Sequence, residues 1–161
     1  VFFMFAHGLM AALGFALVGF IYEQTHTRMI QDWGGFGKKI PFVATLFVMM
    51  ALASSGVPGF GNFVGEMMIL LGAWDKYRVQ TILAVLGLVV TAGYMLKTVR
   101  GTMQGPLNPR GNALKDAFGL QKLPYLLLIA GLLLVGFLPS TILPTIESGT
   151  RPILERMHHE R

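Results

Sequence analysis

Cysteine is absent from the chain. Disulfides, thiolate ligation of iron–sulfur clusters and CxxC redox chemistry are therefore excluded within these residues. Charge is also scarce: only 13% of the 161 residues are Asp, Glu, Lys or Arg, against about 25% in a soluble domain. No basic n-region precedes the first apolar run and no small-residue cleavage site follows it, so a signal peptide is not the reading. The chain opens Val1-Phe2-Phe3-Met4, already inside an apolar run, which gives the expectation of an internal start. Neither an internal repeat nor a low-complexity segment is present.

What is there in quantity is apolar. Hydrophobic residues make up 53% of the chain and the mean hydropathy is +0.60. A net charge of +5 and a pI near 9.8 would suit a nucleic-acid binder. The 13 Lys and Arg, however, sit between the apolar runs, and no basic stripe interleaves with aromatics as single-strand binding requires. Basic residues placed this way are membrane-topology signals.

Four apolar stretches approach or exceed the roughly 20 residues needed to cross a hydrocarbon core of about 30 Å. They are Val1 to Tyr22, Pro41 to Trp74, Val79 to Leu96 and Leu123 to Leu143. All are expected to be helical, since lipid offers an isolated segment's backbone no other partner. The fold expected is an all-α, polytopic membrane helix bundle of four transmembrane spans over residues 1–147, followed by a tail, 148–161. Eight Lys and Arg follow spans one and three and five lie on the opposite side. The positive-inside rule thus puts loops 23–40 and 97–122 in the cytoplasm.

The second stretch carries the chemistry. Its 34 residues would make one helix about 51 Å long at about 1.5 Å per residue, too long for an ordinary crossing. Gly56, Pro58, Gly59 and Gly61 fall near its middle. The economical reading is a discontinuous second span, two half-helices over about 41–55 and 62–74 joined by irregular backbone. Such a break is tolerated at membrane depth only where protein or a water-filled cavity satisfies the freed groups, and breaks of this kind mark ion sites in transporters.

Glu66 lies one turn into the second half-helix, after Asn62 as the expected cap, and is the one acidic residue in the interior of a span. A lone carboxyl in hydrocarbon costs a few kcal/mol, so it must face protein or water. Desolvation favours its neutral form and a helix N-terminus its charged form, opposing pushes that suit a group loading and releasing a proton. A carboxyl that only pins helices together is the plainer alternative. His7, alone in span one, fits a proton relay and a hydrogen-bonded packing role equally well. Lys97, with Thr91 and Tyr94 on neighbouring turns, reads first as a snorkelling residue at the cytoplasmic end of span three and second as a feeder of a hydrated path.

Other motifs carry less. His158-His159 lack the spacing of zinc sites such as HExxH, so no metal is expected. Gly34-Gly35-Phe36-Gly37 neither follows a strand nor opens a phosphate-binding helix and reads as turn. In the tail, Thr150 is expected to cap a short helix with Pro152 in its first turn, placing Ile153, Leu154 and Met157 on one face and Glu155, Arg156 and Arg161 elsewhere.

The residues His7-Gly8-Leu9, Tyr22-Glu23-Gln24-Thr25-His26-Thr27-Arg28, Gly34-Gly35, and above all Ala53-Ser54-Ser55-Gly56-Val57-Pro58-Gly59-Phe60-Gly61-Asn62-Phe63-Val64-Gly65-Glu66 resemble the subunit M (chain 4) family of respiratory complex I. Those proteins are antiporter-like, Mrp-type membrane subunits of proton-translocating NADH:quinone oxidoreductase. The resemblance covers essentially the whole chain and implies that its spans are the family's membrane helices eleven to fourteen. It implies a broken helix twelve whose glutamate, the distal proton-transfer group, falls on Glu66, and a central-axis histidine that falls on His7. It also implies cytoplasmic loops after helices eleven and thirteen, a bacterial inner membrane, protons as cargo and adjacent antiporter-like subunits as partners. No cofactor is implied in this chain, since the flavin, iron–sulfur and quinone sites belong to other subunits. The family's helix-five glutamate and helix-seven lysine are expected upstream of Val1.

Two departures stand out: Gln24 occupies a place where the family often has Arg, and an acidic-x-x-x-Arg-Glu pattern survives only as Asp116, with Leu120 and Gln121 at the other places. Competing readings are a subunit of a multi-subunit Na⁺/H⁺ antiporter, a membrane subunit of an energy-converting hydrogenase, and a scaffold fragment. The stretch Asn62-Phe63-Val64-Gly65-Glu66 favours the oxidoreductase subunit.

Overall fold

The computed structural model describes residues 1–159, and among them the chain is all-helical. Six α-helices follow in order: α1 (Phe2–Thr25), α2 (Pro41–Ser54), α3 (Gly61–Trp74), α4 (Arg78–Met103), α5 (Leu123–Phe137) and α6 (Leu143–His159), with short 3₁₀ turns in the connections. Three segments are long and apolar enough to cross a membrane: Phe2–Thr25, Arg78–Met103 and Gly119–Phe137. Helices α2 and α3 have 14 residues each, about 21 Å at about 1.5 Å per residue, so neither reaches across alone.

Helix α1 is the hub, packed against α2, α3 and α5, while α4 lies along α2 and α3. Ala6, Met10, Leu13, Leu17 and Ile21 form a buried stripe on α1 at three- and four-residue spacing, the periodicity of one helical face. Val43, Leu46, Phe47 and Met50 of α2 and Ile129 and Leu132 of α5 complete the core. Most of α4 stays on the outside: Val79, Val89, Val90 and Leu96 are all exposed.

The connections at one end are built, not slack. The loop after α1 and the loop after α4 are joined backbone to backbone, Gly35 N donating to Gln104 O at 3.0 Å and Asn108 N to Gly34 O at 3.0 Å. Arg110 pairs with Asp32 at 3.4 Å, and Thr27 Oγ1 donates to Asp32 Oδ2 at 2.8 Å. Gln24, at the end of α1, clamps the second loop with both ends of its amide: Nε2 donates to Lys115 O at 3.1 Å and Oε1 accepts from Lys115 N at 2.8 Å. Gln121 in turn accepts from Phe118 N at 3.2 Å. The two departures from the family pattern are thus themselves engaged in loop contacts.

Four boundaries differ from the sequence expectation. Helix α1 continues to Thr25, three residues past Tyr22. Helix α4 continues to Met103, seven residues past Leu96, because its last turn is buried at Val99, Thr102 and Met103. Helix α5 stops at Phe137, before Pro139 and a 3₁₀ turn, where proline ends helical bonding. Thr150 does not cap the last helix: α6 begins at Leu143, and the Thr150 hydroxyl donates back to Ile146 O at 2.9 Å, as a mid-helix threonine does. The apolar face expected of Ile153, Leu154 and Met157, and the pair His158-His159, concern side chains outside the described residues.

Candidate functional site

Helix α2 begins with Pro41 in its first turn. Its orphan amides are met by a carboxylate from far along the chain: Asp116 accepts from Phe42 N at 2.7 Å and from Val43 N at 3.3 Å. A negative charge on a helix N-terminus satisfies both the unpaired donors and the dipole.

The other end of α2 closes in a Schellman motif. Gly56 N donates to Ala53 O at 3.3 Å and Val57 N to Leu52 O at 3.2 Å, with Gly56 in the left-handed region at φ 67°, the conformation this cap demands and glycine supplies. The chain then crosses to α3 through Val57, Pro58, Gly59 and Phe60. This crossing is seated on α5: a Cβ added at Gly136 would stand 2.7 Å from the carbonyl carbons of Gly59 and Phe60 and collide with Gly59 O. The first turn of α3 wedges between α1 and α5, where a Cβ on Gly61 would meet Val135 Cγ2 at 2.5 Å and Ala6 Cβ at 3.1 Å.

Glu66 is half-buried on α3 and its carboxylate lies against Gly56, on the space a side chain there would occupy. One residue before it, Gly65 takes the Phe3 backbone at van der Waals distance, an added Cβ standing 2.7 Å from Phe3 Cα. The Phe3 ring in turn packs on His7, centroids 5.7 Å apart and tilted 53°. Phe3 thus stands between His7 on α1 and Gly65, the neighbour of Glu66 on α3, and no direct hydrogen bond joins Glu66 to His7 among the described residues.

His7 opens into a groove of about 530 Å³ between α1, α2 and α4, lined also by Ser54, Tyr94, Thr98 and the methionines 10, 50 and 95. Lys97 is turned elsewhere. It is exposed and lines a separate cavity of about 730 Å³ with Trp33, Arg100, Gln104 and Asn108, against the paired loops. No ion pair joins it to Glu66 among the described residues.

Asn62 does not cap α3. The helix starts one residue earlier, no side chain caps it, and Asn62 is enclosed at 1% exposure. Sequence reasoning also missed Asp116 as the partner of α2, because the contact spans more than 70 residues and only the fold closes it. Ser54 and Thr98, which line the groove beside His7, were not singled out from the sequence. The signal available for Asn62 was its spacing, four residues before Glu66 on the same side of a helix.

Residues 1–91 match a family model described as NADH:quinone oxidoreductase/Mrp antiporter, transmembrane. A protein of Rickettsia felis named NADH-quinone oxidoreductase subunit M is 33% identical over 155 residues, 96% of this chain and 31% of that protein. The protein of the same name in Escherichia coli K12 is 38% identical over 152 residues, 90% of this chain and 29% of that one. Among solved structures, a chain of respiratory complex I from Thermus thermophilus with bound NADH matches with a TM-score of 0.71 and 33% identity, over 76% of this chain and 26% of that one. The Mrp complex from Dietzia sp. DQ12-45-1b matches with a TM-score of 0.74 over 85% of this chain and 34% of the other, at 20% identity, a likeness of fold alone. The chain spans less than a third of the length of the two named relatives. It is an integral membrane protein and belongs to the transmembrane family shared by NADH:quinone oxidoreductases and Mrp antiporters.

Proposed function

We propose that the chain forms membrane helices eleven to fourteen of a subunit M of proton-translocating NADH:quinone oxidoreductase and supplies the distal part of its proton channel. The observation that carries this reading is the seat of Glu66: a carboxyl placed against Gly56, at the junction of two short helices neither of which crosses a bilayer alone. In this reading α2 and α3 are the halves of one discontinuous span, giving four spans with α1, α4 and α5. The break is functional because its irregular backbone and the positive end of α3 provide the polar surroundings that a proton-carrying carboxyl needs.

Glu66 takes up and releases the proton. His7 passes it along the groove that Ser54, Tyr94 and Thr98 line, and Lys97 belongs to the mouth beside the paired loops. Those loops, within 23–40 and 97–122, face the cytoplasm of a bacterial inner membrane, as the excess of Lys and Arg there supports. The residues outside the relatives' matched part, and adjacent antiporter-like subunits, complete the channel. The flavin and iron–sulfur groups and the quinone site lie in partner subunits, so that the oxidoreductase activity is that of the complex.

A Na⁺/H⁺ antiporter subunit is the second reading, favoured by the likeness to the Mrp complex, which extends to fold only. NADH oxidation by the purified native assembly separates the two. The site itself is tested by Glu66→Gln in the intact complex: pumping in proteoliposomes is expected to fall sharply and quinone reduction to slow, with assembly retained. Full pumping by the Gln variant overturns the assignment.

A further inference from the structure

Asn62 is the second residue of α3, on the wall of the break, and it is 1% exposed. Its Oδ1 is buried and has no hydrogen-bond partner among the described residues. Buried polar atoms in folded proteins find partners, and one without a protein partner points to a small polar guest. We infer that Asn62 Oδ1 holds a water molecule at the α2–α3 junction and that this water exchanges protons with Glu66. The inference rests on the reading of Glu66 as the proton-transfer group.

Three features identify the guest. Asn62 is already enclosed within the chain's own helices, so a further helix packed outside them does not reach it and the guest must be small enough to be enclosed with it. Oδ1 is an acceptor, so the guest must bring an O–H or N–H. Further polar groups belong to the same junction: no side chain caps α3 and only Phe63 N of its first amides turns back, to Phe60 O at 3.2 Å, while at about 100° per residue Asn62 and Glu66 stand only about 40° apart around the helix, one turn removed. Two to four such partners are what a buried water requires. In the transfer, the O–H bond of the protonated Glu66 carboxyl breaks as an O–H bond to the water forms, and the water releases another of its protons onward. Nothing is oxidised or reduced.

The experiment uses the intact complex. A density map fine enough to show ordered water is expected to place one within hydrogen-bond distance of Asn62 Oδ1, and a clean map without it overturns the inference. Asn62→Leu removes the acceptor and fills its space, and is expected to slow proton pumping on the order of tenfold or more and to change its pH profile. Asn62→Ser, which keeps a hydroxyl and leaves room for water, is expected to restore most of the rate. If the Leu variant does not assemble, the map and the Ser variant decide. Wild-type pumping by Asn62→Leu alongside a defective Glu66→Gln sinks the water site and leaves the proposed function standing, whereas full pumping by Glu66→Gln removes both.

Discussion

The Glu66 carboxylate lies against Gly56 and fills the space that a side chain on this left-handed helix cap would take. Gly56→Ala meets two obstacles at once. The left-handed conformation costs a residue with a Cβ about 1–2 kcal/mol, and the new methyl group displaces the carboxylate. The expected outcome is an assembled complex, somewhat less stable, whose proton pumping falls by a larger factor than its detergent resistance. Measuring pumping and detergent resistance on one preparation checks this, and unchanged pumping would show that the carboxylate's seat on Gly56 is immaterial.

Asp116 holds the far end of the same rod. Its bonds to Phe42 N and Val43 N make it a helix cap delivered from another loop. Asp116→Ala should lower stability by about 1–2 kcal/mol, the value of a lost N-cap, with Asp116→Asn losing less because its amide oxygen still accepts. The melting temperature of the purified complex, compared across the two variants, provides the readout. Equal stability of Asp116→Ala and wild type would mean that Pro41 and the surrounding packing hold α2 unaided.

Two glycines on α5 separate a backbone contact from ordinary packing. At Gly136 a methyl group collides with the Gly59 carbonyl, whereas at Gly131 it reaches only Leu9 side-chain atoms at 3.4 and 3.9 Å. Gly136→Ala should therefore cost about 1–3 kcal/mol or more through overpacking and shift the α2–α3 crossing, while Gly131→Ala is tolerated. Yield of assembled complex on native gels distinguishes them, and a similar yield from both would contradict the contact.

The proposed orientation is open to cysteine labelling, since the chain has none of its own. Cysteines at Gln31, in the first loop, and at Lys76, between α3 and α4, should react with an impermeant reagent from opposite sides of the membrane. Labelling of both from one side would overturn the four-span reading, because α2 and α3 would then not cross together.

The local structure around the candidate site was largely legible along the chain. Gly56, Pro58 and Gly59 interrupt an apolar run too long to be one span, and the structure ends α2 at Ser54 and starts α3 at Gly61, within a residue of the expected half-helices. Glu66 stood out because a carboxylate among apolar residues has no inexpensive place in lipid. Asn62 was misjudged as a cap because Asn before a helix usually is one. In the structure α3 starts at Gly61, wedged against α1 and α5, and the amide of Asn62 is enclosed.

Local chemistry determined where helices form, where they break and which polar groups the apolar runs contain, since each follows from residues adjacent in the chain. The choice of buried face did not. Helix α1 is apolar all round, so its composition could not distinguish the stripe Ala6, Met10, Leu13, Leu17 and Ile21 from the exposed Phe5 and Phe15. In water an amphipathic pattern would mark that face, but a chain whose outer surface meets lipid has no such asymmetry to record. Only the packed helices decided it, together with the pairing of Asp116 to α2, of Gln24 to Lys115, and of Glu66 to Gly56.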